Sequence, residues 1–173
     1  AAAAAAAQTG PHRDRGSIGA GRGATVGKWR GRAFAVPGGL GLASTRVDDA
    51  HVGAIAVVNA VGDVVDSNGA VLAGSSAPAG TPGFPTERAF EESGNTTLVV
   101  VATDGRCDKL GCHLLAQSAH DGVARSLLPA HTRFDGDLTF AVATGAVDAH
   151  FDRLREAAAF CAEAAIRNAV LPG

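Results

Sequence analysis

Apolar positions in the first half of the chain predict a small antiparallel sheet. Leu40–Val47 and Val52–Ala60 are rich in apolar and β-branched residues, and the mostly polar segment 48–51 separates them. Two such runs around a short polar segment predict strands joined by a hairpin turn. Short apolar pieces at Val64–Val65 and Val71–Leu72 are predicted to extend the same sheet.

Three other stretches of the first half lack this pattern. Residues 1–18 open with alanines, continue with polar residues and helix breakers, and predict an unanchored or truncated N-terminal segment. Residues 19–28 form a glycine-dense loop, and residues 74–94 are rich in Pro, Gly and Ser, which is typical of an exposed linker. We therefore expect a single domain over residues 19–173.

The second half alternates strand and helix patterns. Thr96–Thr103 is continuously apolar through its middle, which predicts a strand buried on both faces, and Leu138–Thr144 predicts a second buried strand. Asp108–Leu128 has apolar residues at three- to four-residue spacing and is followed by Pro129, so it predicts a helix. Asp148–Val170 is alanine-rich and amphipathic, and this pattern predicts a second helix. This order of elements indicates an α+β architecture built in layers.

Composition narrows the class of function. The 173 residues include 15 Lys and Arg against 17 Asp and Glu, which gives a net charge of −2. This balance argues against binding to nucleic acid or to an anionic membrane surface. No apolar run reaches the roughly 18 residues that span a bilayer. Three cysteines without a CxxC pair predict reduced packing residues in a cytoplasmic protein.

The glycine-rich motifs do not predict nucleotide binding. Gly19-Ala-Gly-Arg-Gly-Ala24 is similar to a dinucleotide fingerprint, but polar residues rather than a strand precede it. Gly27-Lys28 is similar to the end of a Walker A loop, but Trp29 replaces the Ser or Thr that binds magnesium. No Gly-x-Ser-x-Gly elbow is present, and no residue set indicates a metal or an organic cofactor.

The junction between Asn95 and Thr96 is the candidate for catalytic chemistry. Here a glycine-ended linker meets the predicted buried strand at a small hydroxyl residue. That hydroxyl can attack the preceding carbonyl through a five-membered ring in an N→O acyl shift. After hydrolysis, the α-amine of Thr96, with a pKa of roughly 7.7–8.0, can act as the base for its own hydroxyl. From the residues alone, an ordinary strand start remains the alternative.

Several blocks resemble one family in the same order along the chain. In the second half they are Asn95–Asp104, Ala119–Arg125, Pro129–Thr132 and Asp135–Gly145. In the first half they are Gly19–Lys28, Gly38–Gly41 and Val52–Gly62. Together they resemble the self-cleaving peptidases of the DmpA/β-aminopeptidase family, peptidase family S58, and in particular the branch that cleaves before threonine.

The resemblance implies a fold and a mechanism. The family fold is an αββα sandwich of the DmpA/ornithine-acetyltransferase type, similar in layout to the N-terminal-nucleophile hydrolases. The precursor cleaves itself, here between Asn95 and Thr96, into an α-subunit ending at residue 95 and a β-subunit of residues 96–173. Thr96 then corresponds to the nucleophile and Asn59 to the amide donor to the oxyanion. Asp135 and Asp137 correspond to an acidic or hydroxyl pair that would hold or orient the α-amine of Thr96.

These correspondences predict an aminopeptidase or amidase that acts on small peptides or peptide-like amides, as a homo-oligomer of processed pairs. Family members have a longer segment before the glycine-rich loop, including a tyrosine-containing stretch that lines the substrate pocket, and this chain contains no tyrosine. An incomplete sandwich that serves as a non-catalytic assembly or binding domain is therefore one alternative. An ornithine-type acetyltransferase is another, although Pro129–Thr132 and Asp135–Asp137 fit the peptidases better.

Overall fold

The computed structural model describes residues 15–84 and 94–171, which contain nine strands and two α-helices. Most of the predicted N-terminal segment, and the linker over residues 85–93, lie outside the described residues. The strands are β1 (Thr25–Val26), β2 (Val36–Pro37), β3 (Gly39–Val47), β4 (Ala50–Asn59), β5 (Asp63–Val65), β6 (Val71–Ala73), β7 (Thr96–Gly105), β8 (Leu127–Leu128) and β9 (Leu138–Val147). The helices are α1 (Lys109–Ser126) and α2 (Phe151–Asn168).

Four strands form the main sheet, in the order β3-β4-β7-β9. The predicted hairpin is confirmed: β3 and β4 are antiparallel, turn at Asp48 and Asp49, and begin and end within two residues of the expected bounds. β7 pairs antiparallel with β4 and parallel with β9. The helix α1 connects β7 to β9, because parallel neighbours need a long crossover.

Both helices pack on one face of this sheet and against each other. The carboxylate of Asp108 accepts a 2.7 Å hydrogen bond from the N–H of Gly111 and caps α1. The two helices approach closely at Gly122, where a Cβ would lie 2.3 Å from the carbonyl oxygen of Ala159. Neither helix, nor any other in the described ranges, has the length and apolar character needed to cross a bilayer.

The opposite face of the main sheet is open in the described residues. The prediction that Thr96–Thr103 is buried on both faces is wrong here: Val99 and Val101 are buried, whereas Leu98 and Val100 are 40% and 41% exposed. The prediction of a buried strand over Leu138–Thr144 is also wrong, because β9 is an edge strand. The physical reason is that the two helices cover one face only. The exposed apolar side chains of the open face are Ile55, Leu98, Val100, Leu138, Phe140 and Val142.

A second, three-stranded sheet has the order β6-β5-β8. The prediction that Val64–Val65 and Val71–Leu72 extend the main sheet is therefore wrong. After β4 the chain turns away at Gly62, where a Cβ would lie 2.2 Å from the carbonyl oxygen of Pro129, so β5 pairs with the segment that follows α1. This path brings Val61 close to both the glycine-rich loop and the segment before β9.

Candidate active site

Topology brings the predicted site residues to one end of the main sheet. Thr96 is the first residue of β7 and lies opposite Asn59, the last residue of β4. On the other side, Asn95 pairs with Asp135 in an isolated parallel bridge just before β9 begins. Three separate parts of the chain therefore meet at Thr96.

The hydroxyl of Thr96 lies against the peptide bond that it is predicted to attack. Its Oγ1 donates a 2.6 Å hydrogen bond to the carbonyl oxygen of Asn95. The same oxygen accepts a 2.8 Å hydrogen bond from the backbone N–H of Gly136. The predicted nucleophile thus lies beside the carbonyl group of Asn95, and two hydrogen-bond donors polarise that carbonyl.

The side chain of Asn59 is held at both of its polar atoms. Its Nδ2 donates to the carbonyl oxygen of Gly94 at 2.7 Å. Its Oδ1 accepts from the N–H of Thr25 at 3.0 Å and from Nζ of Lys28 at 2.9 Å. While the chain is continuous, one of the two N–H groups of Nδ2 is therefore bound to Gly94.

Asp135 is anchored by two hydrogen bonds. Its carboxylate accepts from the N–H of Val61 at 3.0 Å and from the hydroxyl of Thr132 at 2.6 Å. Burial raises the pKa of Asp135; the hydrogen bonds from Thr132 and Val61 offset part of this effect, and the nearby Asp137 adds to it. A raised pKa brings this carboxyl closer to the range in which it can exchange a proton during a reaction.

The side chain of Asp137 is 4% exposed. One oxygen accepts from the N–H of Thr97 at 2.7 Å, and the other lies 2.8 Å from Nδ1 of His131. Asp137 thereby holds the residue that directly follows Thr96. Its predicted role at the α-amine of Thr96 stays a prediction, because this contact is made one residue further along the chain.

Lys28 is a site residue that sequence reasoning missed. It is 1% exposed, and its ammonium donates to Oδ1 of Asn59 at 2.9 Å and to the backbone oxygen of Asn59 at 3.1 Å. Burial and the nearby Arg32 lower the pKa of Lys28 to about 8, while Asp135 acts in the opposite direction. Lysine is almost never fully buried unless it is paired. The available signal is its place at the end of Gly19–Lys28, one of the blocks that resemble the S58 peptidases.

The low pKa of Lys28 predicts that the protein becomes more stable as the pH rises from 7 to 9. Native Lys28 releases its proton at about pH 8, whereas the unfolded side chain keeps its proton up to roughly pH 10.4. The unfolded state then binds more protons, so the free energy of unfolding increases, by about 1 kcal/mol over this range. Urea unfolding followed by circular dichroism should show this increase.

The variant Lys28→Met is the matched control, because it has a similar length and no charge. The buried Cys161 has the opposite effect from roughly pH 8.5 upward, since burial raises the pKa of its thiol to about 11 and the unfolded thiol ionises first. Both proteins share this contribution, so the effect of Lys28 is measured as the difference between their stability curves from pH 7 to 9. Parallel stability curves for the wild type and Lys28→Met in this window would contradict the lowered pKa.

Thr96 opens onto a cleft of about 330 Å³. The glycine-rich loop forms one wall of this cleft, and the ends of β4 and β7 form another. Its other lining residues are Ala20, Arg22, Gly23, Ala24, Val57, Asn59, Gly94 and Leu98. A larger cavity, of about 500 Å³, lies on the open face of the main sheet and is lined by none of the predicted site residues. We place the candidate site at the smaller cleft because Thr96 and Asn59, the predicted nucleophile and the predicted amide donor, both line it.

Comparison with known proteins identifies the family of the chain. The model of peptidase family S58 matches residues 1–173. The chain belongs to this family. One S58-related sequence, an uncharacterised aminopeptidase of Mycobacterium leprae, is 40% identical over 145 residues, which cover 78% of this chain and 38% of the relative. A 6-aminohexanoate-oligomer endohydrolase of Paenarthrobacter ureafaciens is 34% identical over 147 residues, which cover 78% of this chain and 41% of the relative.

Solved structures confirm the α+β fold class. A β-aminopeptidase of Burkholderia sp. superposes with a TM-score of 0.66 at 26% identity, covering 94% of this chain and 47% of that chain. An L-aminopeptidase D-Ala-esterase/amidase of Ochrobactrum anthropi is described as a variant of the N-terminal-nucleophile hydrolase fold. It superposes with a TM-score of 0.61 at 21% identity, and the match covers 93% of this chain and 45% of that chain. The chain spans less than half the length of these relatives. The described residues form one helix layer and one large sheet of the expected αββα sandwich.

Proposed function

We propose that this S58 chain is a self-processing hydrolase with Thr96 as its N-terminal nucleophile. It cleaves its own Asn95–Thr96 bond and then hydrolyses amide bonds at the amino end of small peptides or peptide-like amides. The observation that supports this function is the 2.6 Å hydrogen bond from Thr96 Oγ1 to the carbonyl oxygen of Asn95. A hydroxyl held in this position is beside the bond that scission must break.

Scission consists of two exchanges at the carbonyl carbon of Asn95. First, Thr96 Oγ1 bonds to that carbon, the bond to the Thr96 nitrogen breaks, and the hydroxyl proton ends on the nitrogen, which leaves an ester. Water then attacks the same carbon, the bond to Oγ1 breaks, and Oγ1 regains a proton while Asn95 keeps a carboxylate. The free α-amine of Thr96, with an ordinary pKa of roughly 7.7–8.0, can then act as a base.

Hydrolysis of a substrate uses the same end of the sheet. The α-amine of Thr96 takes the proton of its own hydroxyl as Oγ1 attacks the substrate carbonyl carbon, and it passes this proton to the leaving amine as the amide C–N bond breaks. Water then attacks the same carbon, the bond to Oγ1 breaks, and Oγ1 regains a proton as the acid product leaves. Asn59 Nδ2, released from Gly94, donates to the oxyanion, and Lys28 orients the amide by holding its oxygen. Asp135 and Asp137 support the amine, as the family resemblance implies. We further expect the processed pairs to form a homo-oligomer.

The relatives support amides as the substrate class. One is named as an aminopeptidase, one as an endohydrolase of 6-aminohexanoate oligomers, and one solved neighbour as a β-aminopeptidase. Small residues predominate along the cleft beside Thr96, including Ala20, Gly23 and Ala24. Such a wall leaves room for an extended backbone, and we propose an unbranched or lightly branched amide with a free amino group.

Mass spectrometry of the purified protein tests this function. We expect two polypeptides, residues 1–95 and 96–173, with Thr96 at the start of the second. The processed protein should hydrolyse an aminoacyl p-nitroanilide, a β-alanyl amide or the linear dimer of 6-aminohexanoate. A chain that stays whole after long incubation at neutral pH, and hydrolyses none of these amides, would contradict the proposal.

A non-catalytic assembly or binding domain is the second candidate. The open apolar face of the main sheet favours it, because exposed side chains such as Phe140 and Val142 gain stability when another surface covers them. This function predicts an intact chain, no amide hydrolysis and a stable complex. Denaturing electrophoresis distinguishes the two candidates, since only the hydrolase gives two bands.

A further inference from the structure

The segment Asp135-Gly136-Asp137 contains a hydrogen-bond donor that the mechanism above does not use. The backbone N–H of Gly136 donates to the carbonyl oxygen of Asn95 at 2.8 Å. We propose that this N–H is the oxyanion donor for self-cleavage, distinct from Asn59, which serves substrate hydrolysis. This inference rests on the proposed function, because it assigns a group to the scission of the Asn95–Thr96 bond.

The donors around the scissile carbonyl change as the reaction proceeds. When Thr96 Oγ1 bonds to the carbonyl carbon of Asn95, the carbonyl oxygen becomes an oxyanion. Of the two donors described for this oxygen, the Thr96 hydroxyl gives up its proton in the same step, so the N–H of Gly136 remains. The described hydrogen bond of Asn59 Nδ2 goes to the carbonyl oxygen of Gly94 and not to that of Asn95. A donor at 2.8 Å lies within the range at which oxyanion donors act.

The donor is preorganised by its two neighbours. Asp135 on one side is anchored by the hydroxyl of Thr132, and Asp137 on the other side lies 2.8 Å from Nδ1 of His131. The block Pro129–Thr132 therefore holds both ends of the turn that presents the N–H of Gly136. A donor held in this way needs no reorganisation when negative charge develops on the carbonyl oxygen.

The space around the turn explains why residue 136 is glycine. A Cβ at this position would lie 3.1 Å from Oγ1 of Thr96 and 3.6 Å from the carbonyl oxygen of Asn95. The first distance is shorter than an ordinary van der Waals contact, so a side chain would press on the nucleophile. Glycine allows the backbone N–H to approach the scissile carbonyl while Thr96 keeps its position.

Replacement of Gly136 by glycolic acid, introduced at an amber codon, tests the proposal. The resulting ester lacks the N–H and keeps the shape of the backbone. We expect the rate at which uncut chain disappears, followed by mass spectrometry, to fall by about 10²–10³-fold, the usual cost of one lost oxyanion donor. The same exchange at Gly69, whose N–H donates to the carbonyl oxygen of Asp66 in an exposed turn, is the control and should leave the rate unchanged.

The outcomes separate this proposal from the proposed function. If the wild-type protein, in which every backbone link is an amide (the all-amide protein), never splits, both self-cleavage and the assignment of Gly136 as oxyanion donor are refuted. If the all-amide protein splits and the Gly136 ester splits at the same rate, self-cleavage stands and the donor assignment is overturned. A second measurement covers the case in which the ester does not fold: in the uncut Thr96→Ala protein, the N–H of Gly136 should exchange at least ~10-fold more slowly than in an unstructured peptide. Free exchange at Gly136 there also overturns the assignment.

Discussion

We expect the purified Thr96→Ala protein to remain one uncleaved chain and to hydrolyse no amide substrate. Thr96→Ala removes the oxygen that we propose attacks the carbonyl carbon of Asn95 and, after scission, the carbonyl carbon of a substrate. Loss of a nucleophile typically lowers the rate by at least ~10⁴-fold. Denaturing electrophoresis and mass spectrometry measure the first effect, and release of p-nitroaniline from an aminoacyl anilide measures the second.

Two further variants make this result specific to the hydroxyl of Thr96. Thr96→Ser keeps the hydroxyl and should retain both scission and hydrolysis. Thr97→Val is the matched control, because the neighbouring hydroxyl is fully buried and makes no hydrogen bond among the described residues. Thr97→Val should therefore split as the wild type does. If Thr96→Ala still gives two bands, the nucleophile lies elsewhere.

Asn59→Asp is expected to lower amide hydrolysis by about 10²–10³-fold, measured per cleaved chain. Aspartate has the shape of asparagine but no Nδ2 donor, and its charge opposes an oxyanion. Its oxygens can still accept from the N–H of Thr25 and from Nζ of Lys28, as Oδ1 of Asn59 does. The fold should therefore persist, and the effect should appear in kcat rather than in KM, because the lost interaction is made in the transition state.

The control for Asn59→Asp is the same substitution at a distant asparagine. Asn168 also donates through Nδ2 to a backbone carbonyl, that of Leu42, at 2.8 Å. Asn168→Asp should change stability without changing the kcat of the cleaved chain. Equal effects of the two substitutions on kcat would show that Asn59 is a structural residue and not an oxyanion donor.

Local patterns were sufficient to predict most of the regular elements. The helix predicted over Asp108–Leu128 is found at Lys109–Ser126, because Asp108 caps its first turn and Pro129 prevents its continuation. The helix predicted over residues 148–170 is found at Phe151–Asn168. Such elements depend on hydrogen bonds and side-chain spacing within one segment, and both can be inferred from the order of residues.

Burial could not be predicted in the same way. The apolar run after Thr96 indicates that both faces of β7 are suited to burial, whereas the helices of the described residues pack on one face of the sheet. The apolar pieces near Val64 and Val71 have strand patterns, and nothing in those patterns indicates that β5 pairs with the end of α1 rather than with the main sheet. Pairing and covering depend on other segments of the chain, so a local pattern does not contain them.

The order of residues alone was enough to establish the elements, the family resemblance and the Asn95–Thr96 junction as the candidate site. Lys28 and Gly136 can be recognised as residues of the candidate site only from the folded structure. The ammonium of Lys28 acquires its partner and its low pKa from burial beside Asn59, which is distant in the chain. The donor of Gly136 is a backbone N–H, a group that nearly every residue has, and only the packing of the turn against Asn95 distinguishes it. Both properties arise from long-range contacts, which exist once the sheet has formed.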